Sequence, residues 1–87
     1  MRIKDCATSE DLLACLGKTG SPAPADPLSD IVQKAFEFGI PLVKIGDGVA
    51  LSPGDIERFR TGEIVPHDIM KRSVVVAIRD ILSSVPA

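Results

Sequence analysis

Residues 40–51 read Ile40-Pro41-Leu42-Val43-Lys44-Ile45-Gly46-Asp47-Gly48-Val49-Ala50-Leu51, and the way this stretch folds decides the architecture. Taken alone it has the form of a β-hairpin, with two apolar runs around the turn-forming Gly46-Asp47-Gly48. Two glycines inside one short helix would each cost about 1 kcal/mol relative to alanine. Taken with its surroundings, the stretch also fits the second helix of a compact helical domain, because Ile45 and Val49 stand four residues apart. On its own residues it stays open between the two.

The flanking segments are clearer. Ser52-Pro53-Gly54-Asp55 is a strong helix start: a capping serine, proline at the first helical position and an acid at the third. Ile56 and Phe59 then face inward, and Gly62 closes the helix. Upstream, Asp26 reads as an N-cap before Pro27, and Leu28, Ile31, Val32, Ala35 and Phe36 recur at helical spacing up to Gly39. Downstream, Pro66 precedes a longer helix with the stripe Met70, Val74, Ala77, Ile78, Ile81, Leu82 and Val85. His67 is expected to be a surface or local capping residue. Near the N-terminus, Thr8 can accept from the amide of Asp11, opening a short helix that carries Leu12, Leu13, Cys15 and Leu16 and stops at Gly17. Residues 1–5 read as coil or an edge strand. Three prolines and two glycines crowd residues 17–27, a linker composition. The expected organisation is a segment 1–17 with one short helix, a linker 18–27, and a helical domain 28–87.

Composition bounds the function. With 87 residues the chain holds one domain at most, and its net charge of −2 argues against non-specific coating of nucleic acid. An apolar fraction of 45% is too high for a disordered tail. The longest apolar run, Val74 to Ile78, falls far short of the roughly 20 residues that span a bilayer. No charged-then-apolar leader opens the sequence, so a cytoplasmic setting with reduced thiols is expected. Cys6 and Cys15 form no Cys-x-x-Cys, and with a single His no zinc set is foreseen. Neither a cofactor nor a catalytic residue is expected: there is no distinctive Ser-His-acid set and no clustered carboxylates.

From Gly39 onward the residues form a pattern: Gly39, then Ile45-Gly46, Val49, Leu51-Ser52, Ile56, Phe59, Gly62 and Pro66, with no insertion. This pattern resembles the lambda-repressor-like, Cro-type (XRE) helix-turn-helix family, most closely in Leu51 to Pro66; with its flanking helices the resemblance covers about 28–85. It implies an all-α domain of four or five helices around a helix-turn-helix core. It also implies a small, phage-like transcriptional regulator or repressor that binds duplex DNA as a homodimer, with half-sites about one helical turn apart. By the resemblance, the N-terminal residues of the second helix of the motif, Ser52, Pro53, Gly54 and Asp55, meet the DNA. Arg58 matches a base-contacting position and can bind guanine bidentately. Thr61 matches a phosphate-contacting position, and Lys44, Arg60, Lys71 and Arg72 are candidates for further phosphate contacts. The chain departs from the pattern at Gly46, where the family usually carries alanine, and at Leu42, where many members carry a polar residue. Pro53 and Gly54 bring no hydrogen-bonding side chains.

Charge sharpens these departures. Residues 52–62 set Arg58 and Arg60 against Asp55 and Glu57, and residues 28–87 hold seven bases against eight acids. A second reading is therefore a protein-interaction module (adaptor, inhibitor or anti-regulator) on the same fold, with Leu42 and Val43 either covered by the N-terminal helix or forming a docking patch. The run Val74–Ala77 covers more than one helix face, so a dimer or partner patch is expected on Val74, Val75, Ile78 and Leu82. A third reading takes the hairpin seriously. Gly39 to Val43, then Val65-Pro66 and an apolar helix, is similar to the cytoplasmic C-terminal domain of the type III secretion export-switch family, without the upstream Asn-Pro-Thr-His motif and with a short insertion.

Overall fold

The computed structural model describes residues 3–17 and 25–84, the side chain of Lys4 excepted. Most of the expected linker and Val85 lie outside the described residues. The elements are a 3-10 turn at Ile3–Asp5 followed by α1 (Ser9–Leu16), α2 (Leu28–Glu37), α3 (Leu42–Val49), α4 (Pro53–Thr61) and α5 (Asp68–Ser84). The fold is all-α, with no strand among the described residues. The hairpin form of 40–51 is not adopted, nor is a strand at residues 3–5.

Tertiary packing turns 40–51 into a helix despite its glycines. Ile45 is fully buried, and Leu42, Val49 and Leu51 pack against the same core. Fully burying one such aliphatic side chain is worth about 1.5–3 kcal/mol, enough to offset the glycine penalty. The glycines are also required by close approaches. A Cβ on Gly46 would collide with the Leu51 carbonyl, because the chain turns back there and the Leu51 amide donates to the Gly46 carbonyl at 2.9 Å. A Cβ on Gly48 would sit 2.9 Å from the Cβ of Ala77, where α3 meets α5. Alanine at the Gly46 position, as the resembled family carries it, does not fit this turn.

Ala50 ends α3 in the left-handed region at φ 59, ψ 38, the one non-glycine residue with positive φ among those described. That conformation costs an L-residue roughly 1–2 kcal/mol. Glycine would relieve it and give back part of the gain in unfolded-state entropy. Ala50→Gly is therefore expected to raise stability by about 0.5–1 kcal/mol; a urea melt with an unchanged slope and a higher midpoint would show it.

Two helix starts follow the sequence closely. Thr8 Oγ1 accepts from the Asp11 amide at 3.1 Å while Asp11 Oδ2 accepts from the Ala7 amide at 3.3 Å, a reciprocal cap on α1. Ser52 Oγ accepts from the Asp55 amide at 3.3 Å on α4. His67 Nδ1 accepts from the Met70 amide at 3.4 Å and caps α5. At the end of α2, the Ile40 amide reaches the Ala35 carbonyl across Gly39, whose φ of +91 suits glycine. Asp26 does something else than expected. It makes no cap on α2, which starts after Pro27 without a side-chain bond; its Oδ2 accepts from the Ile3 amide at 3.2 Å and ties the N-terminal turn to α2.

A single core joins all the elements. Ile3, Cys6, Leu12 and Leu16 from the N-terminal segment lie in one cluster with Ile31, Ile45, Ile56, Val74, Val75 and Ile78. Residues 3–17 and 28–84 thus share one packing unit. α5 is covered on two sides, by α1 and by α3. This corrects the expected partner patch: Val74, Val75 and Ile78 are fully buried in the chain's own core, and Leu82 is packed against it. The outward member of the β-branched run is Val76, 39% exposed. α1 also receives a long-range cap, because the buried Arg79 donates from a guanidinium nitrogen to the Leu16 carbonyl at 3.1 Å. Cations near a helix C-terminus are favoured by the helix dipole.

Candidate nucleic-acid interface

α3 and α4 are two short helices joined by the three residues Ala50–Ser52, a helix-turn-helix in form. α4 is held from one side: Ile56 is fully buried and Phe59 is 6% exposed. Its other side faces solvent and carries Pro53, Gly54, Arg58 and Thr61, with Asp55 half-buried. Gly54, Arg58 and Thr61 follow at steps of four and three, so they stand on one stripe. Ser52, Pro53, Gly54, Asp55, Arg58 and Thr61 are thus brought together on one helix.

The electrostatics of this stripe are balanced. Arg58, its side chain 53% exposed, lies 3.4 Å from Asp55 Oδ1 and 4.0 Å from Glu63 Oε2. Ion pairs this exposed are worth little and leave the guanidinium able to exchange partners. The first turn of α4 is a poor anion cradle. Pro53 has no N–H, and the Asp55 N–H donates to Ser52, which leaves the Gly54 amide, next in sequence to the acidic Asp55. Thr61 spends its hydroxyl proton on the Arg58 carbonyl at 3.2 Å and accepts from the Glu63 amide at 3.4 Å. No Cβ clash arises at Gly54, whose nearest neighbour to an added Cβ is Ser52 Oγ at 3.8 Å. The bare start of α4 is therefore a matter of residue choice and not of space.

Two of the expected contacts are elsewhere. Arg60 is folded back onto α2. It donates to both carboxylate oxygens of Glu57 and, at 2.5 Å, to Gln33 Oε1, and its guanidinium sits 5.3 Å from the centre of the Phe36 ring. Hydrogen bonding from Arg60 holds the Glu57 carboxyl below the usual range, and the same bond raises Arg60. Arg60 fastens α4 to α2, so it is not placed with Arg58 on the outward stripe. The pairing is complete at neutral pH and is lost as pH falls through the lowered Glu57 value. Lys44 is exposed on α3 but lines a cavity of about 260 Å³ with Ser9, Phe38, Ile81 and Leu82, on the α5 side of the helix. Neither position was legible from spacing, because Gln33 and Phe36 lie on another helix, 27 residues from Arg60 in the case of Gln33.

The sequence reading also passed over an apolar surface beside the end of α4. Ile64 is 42% exposed, Val65 85% and Ile69 76%. Ile64 and Val65 line a cavity of about 180 Å³ together with Leu28, Phe59 and Lys71. Of the two residues proposed as cover or patch, Leu42 is partly buried against the core and Val43 is 48% exposed. Arg72 is exposed on α5. Among the described residues there is no cluster of three metal-ligating side chains, and no helix long and apolar enough to cross a membrane. Compared with family models, curated proteins and solved structures, the chain returns no match.

Proposed function

We propose that this protein is a lambda-repressor-like, Cro-type helix-turn-helix regulator that binds duplex DNA as a homodimer, with α4 in the major groove and Arg58 as its principal base-reading side chain. The observation that carries this reading is the division of labour on α4. Ile56, Phe59 and Arg60 anchor the helix to the rest of the chain, while Gly54, Arg58 and Thr61 occupy a solvent stripe with no packing role. A helix held rigidly by one face, with its other face clear, is what entry into a groove requires. The neutral charge balance implies a modest affinity. A dimer neutralising about four to six phosphates has a log–log salt slope on the order of −4 to −5.

Binding to a random duplex pool across a salt series, followed by selection of bound sequences, tests the reading. Arg58→Ala is expected to flatten sequence preference by about 1–3 kcal/mol at the contacted base pair. Its Tm should stay within the scatter of a surface substitution, since Arg58 is exposed and its partners are solvated. Absence of any binding at low salt would overturn the reading.

A protein-interaction module on the same scaffold is the second reading. It is favoured by Pro53 and Gly54 at the bare start of α4 and by the exposed Ile64, Val65 and Ile69 next to its end. Under that reading, Val65→Ser and Ile69→Ser abolish partner capture, whereas Arg58→Ala has no effect.

A further inference from the structure

Cys6 and Cys15 are nine residues apart and come together across the join between the N-terminal turn and α1. Their Sγ atoms are 3.3 Å apart. Cys6 is 4% exposed, and Cys15 is half-buried against the same core. A disulfide needs a sulfur separation of about 2.0 Å, so closure calls for a movement of little more than 1 Å. Cys6 sits in the short link between the 3-10 turn and α1, with Asp5, Ala7 and Thr8 around it exposed.

We propose that Cys6 and Cys15 form a reversible dithiol–disulfide site that exchanges with small-molecule disulfides and, when oxidised, staples the N-terminal turn to α1. The more accessible Cys15 reacts first. Its thiolate attacks one sulfur of the small disulfide, an S–S bond forms at Cys15, and one small thiolate leaves. Cys6 then attacks Sγ of Cys15 and displaces the second small thiolate, which takes up the Cys6 proton. Two protein S–H bonds and one small-molecule S–S bond become one protein S–S bond and two small-molecule S–H bonds. The protein pair is oxidised by two electrons and the small disulfide is reduced by two.

The surroundings support this order. Burial, then the hydrogen bond and charge of Cys15, and then Asp11 push the Cys6 thiol up to about 11, while Lys34 acts weakly in the other direction. Cys6 is thus kept as a thiol until its neighbour has been modified, at which point the Cys15 hydrogen bond and charge are gone. The consequence reaches beyond the two sulfurs. Ile3, three residues before Cys6, is fully buried and held to Asp26 through its amide. A Cys6–Cys15 bond therefore fixes the whole N-terminal turn between α1 and the start of α2.

The test incubates the folded, full chain with oxidised glutathione, quenches in acid, alkylates in denaturant and weighs the intact protein. The expected product has lost two hydrogens, takes no alkyl label, runs as a monomer on non-reducing gels and melts roughly 5–15 °C above the reduced chain. Cys6→Ser is expected to hold a stable glutathione adduct on Cys15. Cys15→Ser is expected to react at least tenfold more slowly than Cys6→Ser, because only the buried Cys6 remains. The wild-type product needs no variant to be read. A wild-type chain that accumulates the mixed adduct, that crosslinks between molecules, or whose internal disulfide lowers the Tm overturns the proposal.

Discussion

Replacing Gly46 by valine is expected to lower stability by about 3 kcal/mol, toward the upper end of overpacking effects. A Cβ at this position meets the carbonyl oxygen of Leu51, a backbone atom, so no side-chain rotation relieves the clash. The Leu51 carbonyl is itself constrained. The Leu51 amide is bonded to the Gly46 carbonyl, and the next residue, Ser52, caps α4. Relief must come from opening the α3–α4 turn, which moves α4. Gly46→Ala meets the same atom but regains about 1 kcal/mol of helix propensity, so its loss is smaller. For a domain of this size each kcal/mol is worth about 4–8 °C in Tm, which puts the valine variant roughly 12–24 °C below the parent. Thermal melts by circular dichroism at 222 nm resolve such shifts. If 40–51 were a hairpin, Gly46 would lie in its turn and valine would leave far-UV helicity unchanged.

Phe59→Ala should cost more, about 3–5 kcal/mol for loss of a buried aromatic. Phe59 is the largest buried side chain of α4, and it also lines the groove with Leu28, Ile64 and Lys71. At roughly 0.05–0.15 kcal/mol per residue, the whole domain is worth on the order of 4–13 kcal/mol. The variant is therefore expected to sit near its unfolding midpoint at 37 °C, with a broadened amide spectrum. Arg58→Ala, one residue away on the opposite face, should melt within about 0.5 kcal/mol of the parent. The contrast separates the face that holds α4 from the face it presents. A Phe59→Ala protein that melts like the parent would mean that α4 is not docked by this residue.

Most of the fold was legible in the sequence, for local reasons. Thr8 with Asp11, Ser52 with Asp55, and the glycines at 39 and 62 each settle a helix end within four residues, and the structure places those ends as read. Residues 40–51 were ambiguous because both local signals were real: glycines that disfavour a helix and an Ile45–Val49 spacing that needs one. The choice depends on contacts made far along the chain, among them the close approach of Gly48 to Ala77. The same limit explains the misplaced partner patch. Periodicity shows that Val74, Val75 and Ile78 span more than one face, but not that α1, more than fifty residues earlier, folds back to cover one of them. Asp26 looked like a cap because it precedes Pro27 at the start of a helix, and it is taken by the Ile3 amide instead. On the candidate site, Ser52, Pro53, Gly54, Arg58 and Thr61 are exposed at α4 and Asp55 is half-buried, whereas Arg60 is drawn away by Gln33 and Phe36.

The functional proposal rests on which face of the molecule meets a duplex. Amide shift mapping of nitrogen-15-labelled protein, titrated at low salt with a duplex selected from the random pool, reports that face residue by residue. The largest shifts are expected at Gly54, Asp55, Arg58 and Thr61, weaker ones in the α3–α4 turn, and none at the buried Val74 and Val75. Shifts confined to Ile64, Val65 and Ile69, or a spectrum that the duplex leaves unmoved, would contradict it.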